Sequence, residues 1–241
     1  MQSNTITTSA TPEQLENIGA IAASLVQDDQ AVGLGSGKAA QAFVRMLGKR
    51  IAQTKMSIVG VPTSEVTAQV ARQAGVPLTT LEDVSELDIA VDGADEVDPH
   101  LNLLKGGGGD LLREKVVASI ARRLVIVVGQ EKLVPRLGTR FPVFIEVVQF
   151  AMPAVIRTLS TLGASATPRR RPDGALFLTD NGNPLLHAKF DPGQPPLSNP
   201  AELEKTLHSI TGVIDTGLFI GMAHEALVAR FDGSVERLKS V

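Results

Sequence analysis

The chain has no cysteine, tryptophan or tyrosine, and only 3% of its 241 residues are aromatic. Without cysteine there is no disulfide framework, no thiolate metal site and no thiol nucleophile. The longest unbroken apolar runs are a few residues, against about 20 for a membrane-spanning helix. These absences exclude disulfide scaffolds, thiol enzymes and transmembrane helices, so we expect no membrane partner.

The chain also lacks a strong charge of either sign, with 26 acids, 23 bases and a net charge of −3. No basic field favours nucleic acid, so an anionic ligand must be bound locally. The four histidines, His100, His187, His208 and His224, show no metal-ligand spacing, and we predict no metal site. The segment MQSNTITTSA lacks the basic and apolar parts of a signal peptide, which predicts a cytoplasmic protein.

Short apolar runs that end in small or polar residues alternate with helical patterns in the first half. The runs cover residues 31–34, 57–61, 87–91 and 124–128. The helical patterns cover residues 39–47, 65–74 and 111–123, after a first helix that begins with a Thr11–Gln14 capping box and runs to about Val26. This alternation is typical of a parallel sheet covered on both faces. Ligands bind outside the carboxyl ends of such strands, so we expect the polar tips to form the site.

The second half has a different order. We predict strands at 143–148, 176–179, 185–190 and 213–219, and helices at 150–162 and 200–210, with an Asn181-Gly182 hairpin turn. The order β-α-β-β-α-β fits a ferredoxin-like unit. The predicted fold is therefore α/β: a Rossmann-like, mostly parallel sheet with helices on both faces (residues 1–141 and 216–241), plus a smaller ferredoxin-like α+β domain (residues 142–215).

The most informative segment is residues 92–115, DGADEVDPHLNLLKGGGGDLLREK. Its chemically useful members are Asp92, Asp95, Lys105, the glycines 106–109 and Glu114. Acids, a cation and bare backbone are what removal of a proton from carbon and stabilisation of an enolate require. The other interpretations are a capping role for either aspartate and a solvated charge cluster at 113–115.

The loop GLGSGK, residues 33–38, lies between a predicted strand and helix, where backbone amides favour anions. It is not a Walker A loop, because Val32 and Ala39 stand where glycine and Ser/Thr are needed. Lys38 replaces the third glycine of the dinucleotide fingerprint, so no nicotinamide cofactor is expected. A phosphate site remains, with a simple tight turn as the alternative. Residues 169–171, Arg-Arg-Arg, are interpreted as a solvated turn.

Six segments resemble, in order and spacing, ribose-5-phosphate isomerase of the A type over nearly the whole chain. They are GLGSGK, VPTSEVT, DGADEVD, KGGGGDLLREK, EKLV (131–134) and TDNGN (179–183). The resemblance implies interconversion of ribose 5-phosphate and ribulose 5-phosphate in the pentose phosphate pathway, with no metal, nicotinamide or other cofactor. It also implies a Rossmann-like domain with a smaller domain, and assembly as a homodimer or homotetramer.

The resemblance further assigns roles by position. It implies that Glu114 is the proton acceptor and that the sugar and its enediolate are held by Lys105, Gly106, Gly107 and Gly108. The sugar hydroxyls would be bound, and ring opening assisted, by Asp92 and Asp95, with Gly93 and Ala94 between them. The phosphate loop would consist of Ser36, Gly37, Lys38 and Ala39, and Lys132 would be a further substrate-binding lysine.

The chain departs from the family pattern at two places. The phosphate loop commonly reads G-T-G-S-T, but Ser36, Lys38 and Ala39 replace its Thr, Ser and Thr, so two hydroxyls are lost and one cation is gained. His187 stands where the family usually has an aspartate. Two other function classes stay open: a non-catalytic sugar-phosphate sensor, and a CoA transferase built on a related sheet.

Overall fold

The structure is a computed structural model that describes residues 9–239. Its six α-helices are α1 (Pro12–Ser24), α2 (Gly37–Thr54), α3 (Glu65–Ala74), α4 (Leu111–Ser119), α5 (Met152–Thr161) and α6 (Pro200–His208). Its thirteen strands are β1 (Gln30–Leu34), β2 (Ile58–Pro62), β3 (Ile89–Asp92), β4 (Glu96–Val97), β5 (Leu103–Leu104), β6 (Leu124–Gly129), β7 (Val143–Val147), β8 (Ser165–Pro168), β9 (Leu185–Lys189), β10 (Val213–Thr216), β11 (Leu218–Phe219), β12 (Glu225–Ala229) and β13 (Val235–Lys239). No helix among these residues is long and apolar enough to cross a membrane.

The largest sheet has the order β13-β12-β6-β3-β1-β2, and all its pairs are parallel except β12–β13. Alternate residues of β6 enter different cores: Val125 and Val127 pack with α1 and α2, whereas Ile126 and Val128 pack on the face that carries Val117 of α4. Helices therefore cover both faces, which confirms the α/β prediction. The chain order reverses between β1 and β3, the switch point at which open α/β sheets bind ligands.

The helices form at the predicted places, but several of their ends differ from the predicted ones. The capping box of Thr11 and Gln14 forms as predicted, but α1 ends at Ser24 instead of Val26. Helix α2 continues to Thr54, beyond the predicted end at residue 47, and Gly48 lies inside it. A Cβ at Gly48 would lie 2.1 Å from the Ala74 carbonyl oxygen, so glycine there permits close helix packing instead of ending the helix. Helix α2 also begins earlier, at Gly37, and α4 ends earlier, at Ser119.

A four-stranded antiparallel sheet has the order β10-β7-β9-β8 and confirms the ferredoxin-like prediction. Its second strand was predicted wrongly: residues 165–168 pair with β9, whereas 176–179 form only isolated bridges, Arg170–Leu176 and Leu178–Pro184. Backbone hydrogen bonds close two turns in the segment 170–184, from the Arg171 N–H to the Ala175 carbonyl and from the Thr179 N–H to the Asn183 carbonyl, and the partner of β9 at this edge is β8. The residue limits proposed for the two domains stay a prediction.

The predicted strand 213–219 is divided between two sheets. β10 joins the four-stranded sheet, and β11 joins β5 and β4 in a three-stranded sheet. Gly217 lies between them: its N–H donates to the Phe144 carbonyl at 2.7 Å, and its carbonyl accepts from the Lys105 N–H at 2.8 Å. A Cβ there would lie 2.0 Å from the Lys105 carbonyl oxygen. This close approach fixes the backbone of Lys105.

Candidate active site

A cavity of about 340 Å³ opens at the carboxyl ends of β1, β3 and β6. Twelve of the fourteen residues proposed from the sequence line it: Ser36, Gly37, Lys38, Ala39, Gly93, Ala94, Asp95, Lys105, Gly106, Gly108, Glu114 and Lys132. The other two, Asp92 and Gly107, contact residues of the lining. The sequence-predicted site is thus brought together in one place.

The centre of the site is Lys105, which lies between two carboxylates. Its Nζ is 3.2 Å from Asp92 Oδ2 and 3.1 Å from Glu114 Oε1, and it donates to the Gly93 carbonyl at 2.6 Å. The three residues are only 3%, 4% and 6% exposed, for Lys105, Asp92 and Glu114 respectively. Burial makes these charges depend on one another, because water screens them little.

The pKa values follow from this arrangement. Burial, together with the Asp92 charge, raises the pKa of Glu114 to about 8, and Lys105 offsets only part of that shift. Burial also raises the pKa of Asp92, against the opposing charge of Lys105. For Lys105, burial lowers the pKa, but the Asp92 and Glu114 carboxylates outweigh it and the net pKa is raised. The lysine therefore stays charged over the pH range in which Glu114, with its pKa raised to about 8, gains or loses its proton.

Glu114 is held in place by the first turn of α4. Its N–H donates to the Asp110 carbonyl at 3.0 Å. Helix α4 approaches the sheet closely at Gly33 of β1, where an added Cβ would lie 2.6 Å from Val117 Cγ1. Glycine at position 33 therefore permits the close packing of α4 on the sheet. The interpretation of 113–115 as a fully solvated charge cluster is wrong for Glu114, which is buried.

The two aspartates differ in their contacts. Asp92 Oδ1 accepts from the N–H groups of Ser36 and Gly93, at 3.0 and 2.7 Å, so this residue has a structural contact besides its pairing with Lys105. Asp95 lines the cavity, and its Oδ2 accepts from the Gly107 N–H at 2.8 Å. A Cβ on Gly107 would lie 2.8 Å from Asp95 Oδ1, which is why backbone this close to the carboxylate needs glycine.

The loop at 35–38 presents backbone and one cation to the cavity. The Ser36 hydroxyl bonds to the hydroxyls of Thr63 and Ser64, each at 2.8 Å, in a buried cluster. The first turn of α2 and the exposed Lys38 side chain line the cavity. Amides of a first helical turn have no partner within the helix and favour anions.

Two acidic residues at the cavity were not predicted from the sequence. Asp110 precedes α4 and lines the cavity, and burial, with the charges of Asp180 and Asp92, raises its pKa to about 6. Asp110 directly follows the glycine run 106–109 in the sequence, and this position could have indicated that it belongs to the site. Glu131 also lines the cavity, and its Oε2 accepts from the Ala10 N–H at 3.3 Å. Next to Glu131, Lys132 has its Nζ 5.1 Å from the centroid of the Phe141 ring.

The arginine triplet at 169–171 was predicted as a solvated turn, and this is wrong for one member. Arg170 and Arg171 are exposed, but Arg169 is half-buried and its Nη1 donates to the Gly107 carbonyl at 3.0 Å. The TDNGN turn also contacts the start of α3, since Asp180 Oδ2 accepts from the Glu65 N–H at 2.9 Å. Such contacts join segments more than 60 residues apart, and no local sequence pattern indicates them.

The protein is thus an α/β protein with a buried carboxylate–lysine–carboxylate group at the switch point of its sheet, where such folds bind their ligands. The family model for ribose 5-phosphate isomerase A (phosphoriboisomerase A) matches residues 59–233. Ribose-5-phosphate isomerase A from Chloroflexus aurantiacus is 46% identical over 227 residues, which are 94% of this chain and 93% of that protein. This chain belongs to the ribose-5-phosphate isomerase A family and is an aldose–ketose isomerase.

Solved structures agree with this assignment. Ribose 5-phosphate isomerase A from Methanocaldococcus jannaschii has a TM-score of 0.89 and 37% identity, covering 95% of this chain and all of the other. A D-ribose-5-phosphate isomerase in complex with phospho-erythronic acid gives the same TM-score, identity and coverage. The family assignment separates the chain from the two alternatives, the sugar-phosphate sensor and the CoA transferase. The oligomeric state stays a prediction.

Proposed function

We propose that this chain interconverts D-ribose 5-phosphate and D-ribulose 5-phosphate through a cis-enediolate, with Glu114 as the group that transfers the proton. The observation that carries the proposal is the Glu114 carboxylate, buried at the cavity with its Oε1 3.1 Å from Lys105 Nζ. A base and a cation are thus adjacent, as the removal of a proton beside a carbonyl requires.

The reaction can be written with one base. Glu114 takes the proton from C2 of the open-chain aldose and returns it to C1, while the hydroxyl proton passes from O2 to O1. A positioned base contributes about 10²–10⁴-fold. Lys105 stabilises the negative oxygen of the enediolate, and a donor in that role is worth roughly 3–4 kcal/mol in other enzymes. Asp92, which also contacts Lys105, keeps that ammonium group in place.

Different residues are proposed to bind the sugar and the phosphate group of the substrate. Asp95 lines the cavity and is the better placed aspartate for the sugar hydroxyls and ring opening, because both Asp92 oxygens have protein partners. The first turn of α2, with Lys38, is proposed to hold the phosphate, and Lys132 lies on the same cavity. The complex of a relative with phospho-erythronic acid supports a phosphorylated sugar derivative as ligand.

The proposal is tested by incubating the purified protein with ribose 5-phosphate in a chelator and measuring ketose. Ribulose 5-phosphate should form and the reverse reaction should run, whereas unphosphorylated ribose should react poorly because it lacks the group that orients it. Equal rates with ribose and ribose 5-phosphate would remove the phosphate site from the proposal. No turnover of either sugar would overturn it.

The pH dependence should report the raised pKa of Glu114. Because the base must be ionised, kcat/KM should rise with pH through a midpoint near 8, the pKa to which burial raises Glu114. Asp110 adds to this raised pKa through its charge, so Asp110→Asn should move the midpoint to lower pH. Steady-state rates from about pH 6.5 to 9.5 bracket the transition. A midpoint that stays in place in Asp110→Asn would contradict the assignment to Glu114.

Lys38→Ala should chiefly raise KM. Lys38 is exposed at the cavity, and an exposed ion pair contributes on the order of 1 kcal/mol, which corresponds to about a fivefold change. The kcat should change little, because Lys38 is not proposed to touch the reacting carbons. Lys49→Ala, an exposed lysine on the same helix, is the control. An unchanged KM in Lys38→Ala would mean that this side chain does not hold the phosphate.

A further inference from the structure

The glycine run, residues 106–109, has more conformational freedom than any other sequence of its length. Two of its members, Gly106 and Gly109, have φ angles of +116° and +110°. The run follows directly on Lys105, whose ammonium group lies at the centre of the site. A catalytic group loses about 10²-fold in rate when it is misplaced by about 1 Å. Some contact must therefore fix this segment.

Both polar backbone atoms of Gly107 are held by charged side chains. Asp95 Oδ2 accepts from its N–H at 2.8 Å, and Arg169 Nη1 donates to its carbonyl oxygen at 3.0 Å. Arg169 follows β8 of the four-stranded sheet, where its own N–H donates to the Leu185 carbonyl at 2.8 Å. The arginine thus connects the four-stranded sheet to the glycine run.

The guanidinium group is itself immobilised. Its Cζ lies 3.8 Å from the centroid of the Phe177 ring, and the Phe177 N–H donates to the Arg169 carbonyl at 3.0 Å. Phe177 also contacts the glycine run, because a Cβ on Gly109 would lie 2.5 Å from Phe177 Cζ. Stacking on an aromatic face favours arginine over lysine, whose ammonium group has no planar face.

The two neighbouring arginines do not reach this segment. Arg170 is exposed, and its Nη1 donates to the Gly174 carbonyl at 2.8 Å. The Arg171 side chain is 57% exposed and pairs with Asp173 at 3.7 Å. These residues have the same type and nearly the same sequence position, so they serve as matched controls.

We propose that Arg169 is a positioning residue of the isomerase: by binding the Gly107 carbonyl it fixes the glycine run, and with it the backbone amides and the Lys105 side chain that act on the sugar. The inference rests on the proposed function, because its kinetic test measures isomerase activity. Its structural test, the rigidity of residues 106–109, is independent of the substrate.

The test compares Arg169→Gln with Arg170→Gln. Arg169→Gln should lower kcat by about 10- to 100-fold while KM changes less than about threefold, since loop misplacement affects the transition state more than phosphate binding. Hydrogen–deuterium exchange of a peptide covering residues 105–112 should become faster in Arg169→Gln only. Free guanidinium should restore part of the kcat of Arg169→Ala, which a merely structural role would not allow.

Three results would overturn the proposal: a kcat of Arg169→Gln like that of the native chain, unchanged exchange at 105–112, or equal losses in both variants. If Arg169→Gln does not fold, Arg169→Lys takes its place, and native-like kcat with native-like exchange in that variant would likewise overturn it. If the native chain does not isomerise ribose 5-phosphate, the proposed function fails, while the exchange comparison still decides whether Arg169 fixes the glycine run.

Discussion

Glu114→Gln should lower kcat by about 10³-fold or more while the substrate still binds, because the amide keeps the shape of the side chain but cannot accept the proton. Lys105 retains Asp92 as a partner at 3.2 Å in this variant, so the fold should persist. Single-turnover formation of ribulose 5-phosphate measures the chemical step, and titration with phospho-erythronic acid measures binding.

The matched control for this experiment is Glu86→Gln. Glu86 is half-exposed and pairs with Arg122 on the surface at 2.6 Å, away from the cavity residues. Its kcat should equal that of the native chain. Near-native turnover in Glu114→Gln would remove this carboxylate from the mechanism, and loss of ligand binding would show that Glu114 serves the substrate complex instead of the proton transfer.

Lys105→Met should abolish most activity and also destabilise the fold. The substitution leaves the buried carboxyl groups of Asp92 and Glu114 without their cation, and breaking a buried pair in this way costs about 3–5 kcal/mol. Urea unfolding at pH 8 should show this loss of unfolding free energy. Lys49→Met removes an exposed lysine from α2 and should leave both activity and stability unchanged.

The loss in Lys105→Met should be smaller at pH 5 than at pH 8. The folded-state pKa values of Asp92 and Glu114 are raised, so the native state binds more protons than the unfolded state. The contribution of Glu114 to the free energy of unfolding therefore falls as pH rises from its ordinary value of 4.5 to about 8. Without Lys105 both pKa values rise further, so the folded variant binds still more protons than the native chain and loses less stability at the lower pH. Equal losses at the two pH values would contradict this account of the charges.

Charge composition explains why the site depends so strongly on local contacts. The chain has a net charge of −3, and the cavity is lined by four acids, Asp95, Asp110, Glu114 and Glu131, against three lysines, Lys38, Lys105 and Lys132. A phosphosugar therefore gains little from the field of the whole protein. Binding of its phosphate has to come from the first turn of α2 and from individual lysines.

Much of the site could be predicted because its residues are close in sequence or end neighbouring strands. Asp92, Lys105 and Glu114 lie within 23 residues of one another, and the turns after β1 and β3 meet because these strands are adjacent and parallel. The second strand of the small sheet could not be predicted in the same way. Residues 176–179 have as good a strand composition as 165–168, and only the pairing with β9 distinguishes them.

The sequence by itself determined the fold class, the family resemblance and the residues that gather at the switch point, since periodicity and motif order are local properties of the chain. Tertiary structure alone decided the protonation behaviour of Glu114, because its pKa of about 8 depends on burial and on the charge of Asp92. It also decided that Arg169 and Phe177 contact the glycine run. Contacts between segments this far apart form only when the sheets pack together, and no periodicity of the sequence encodes them.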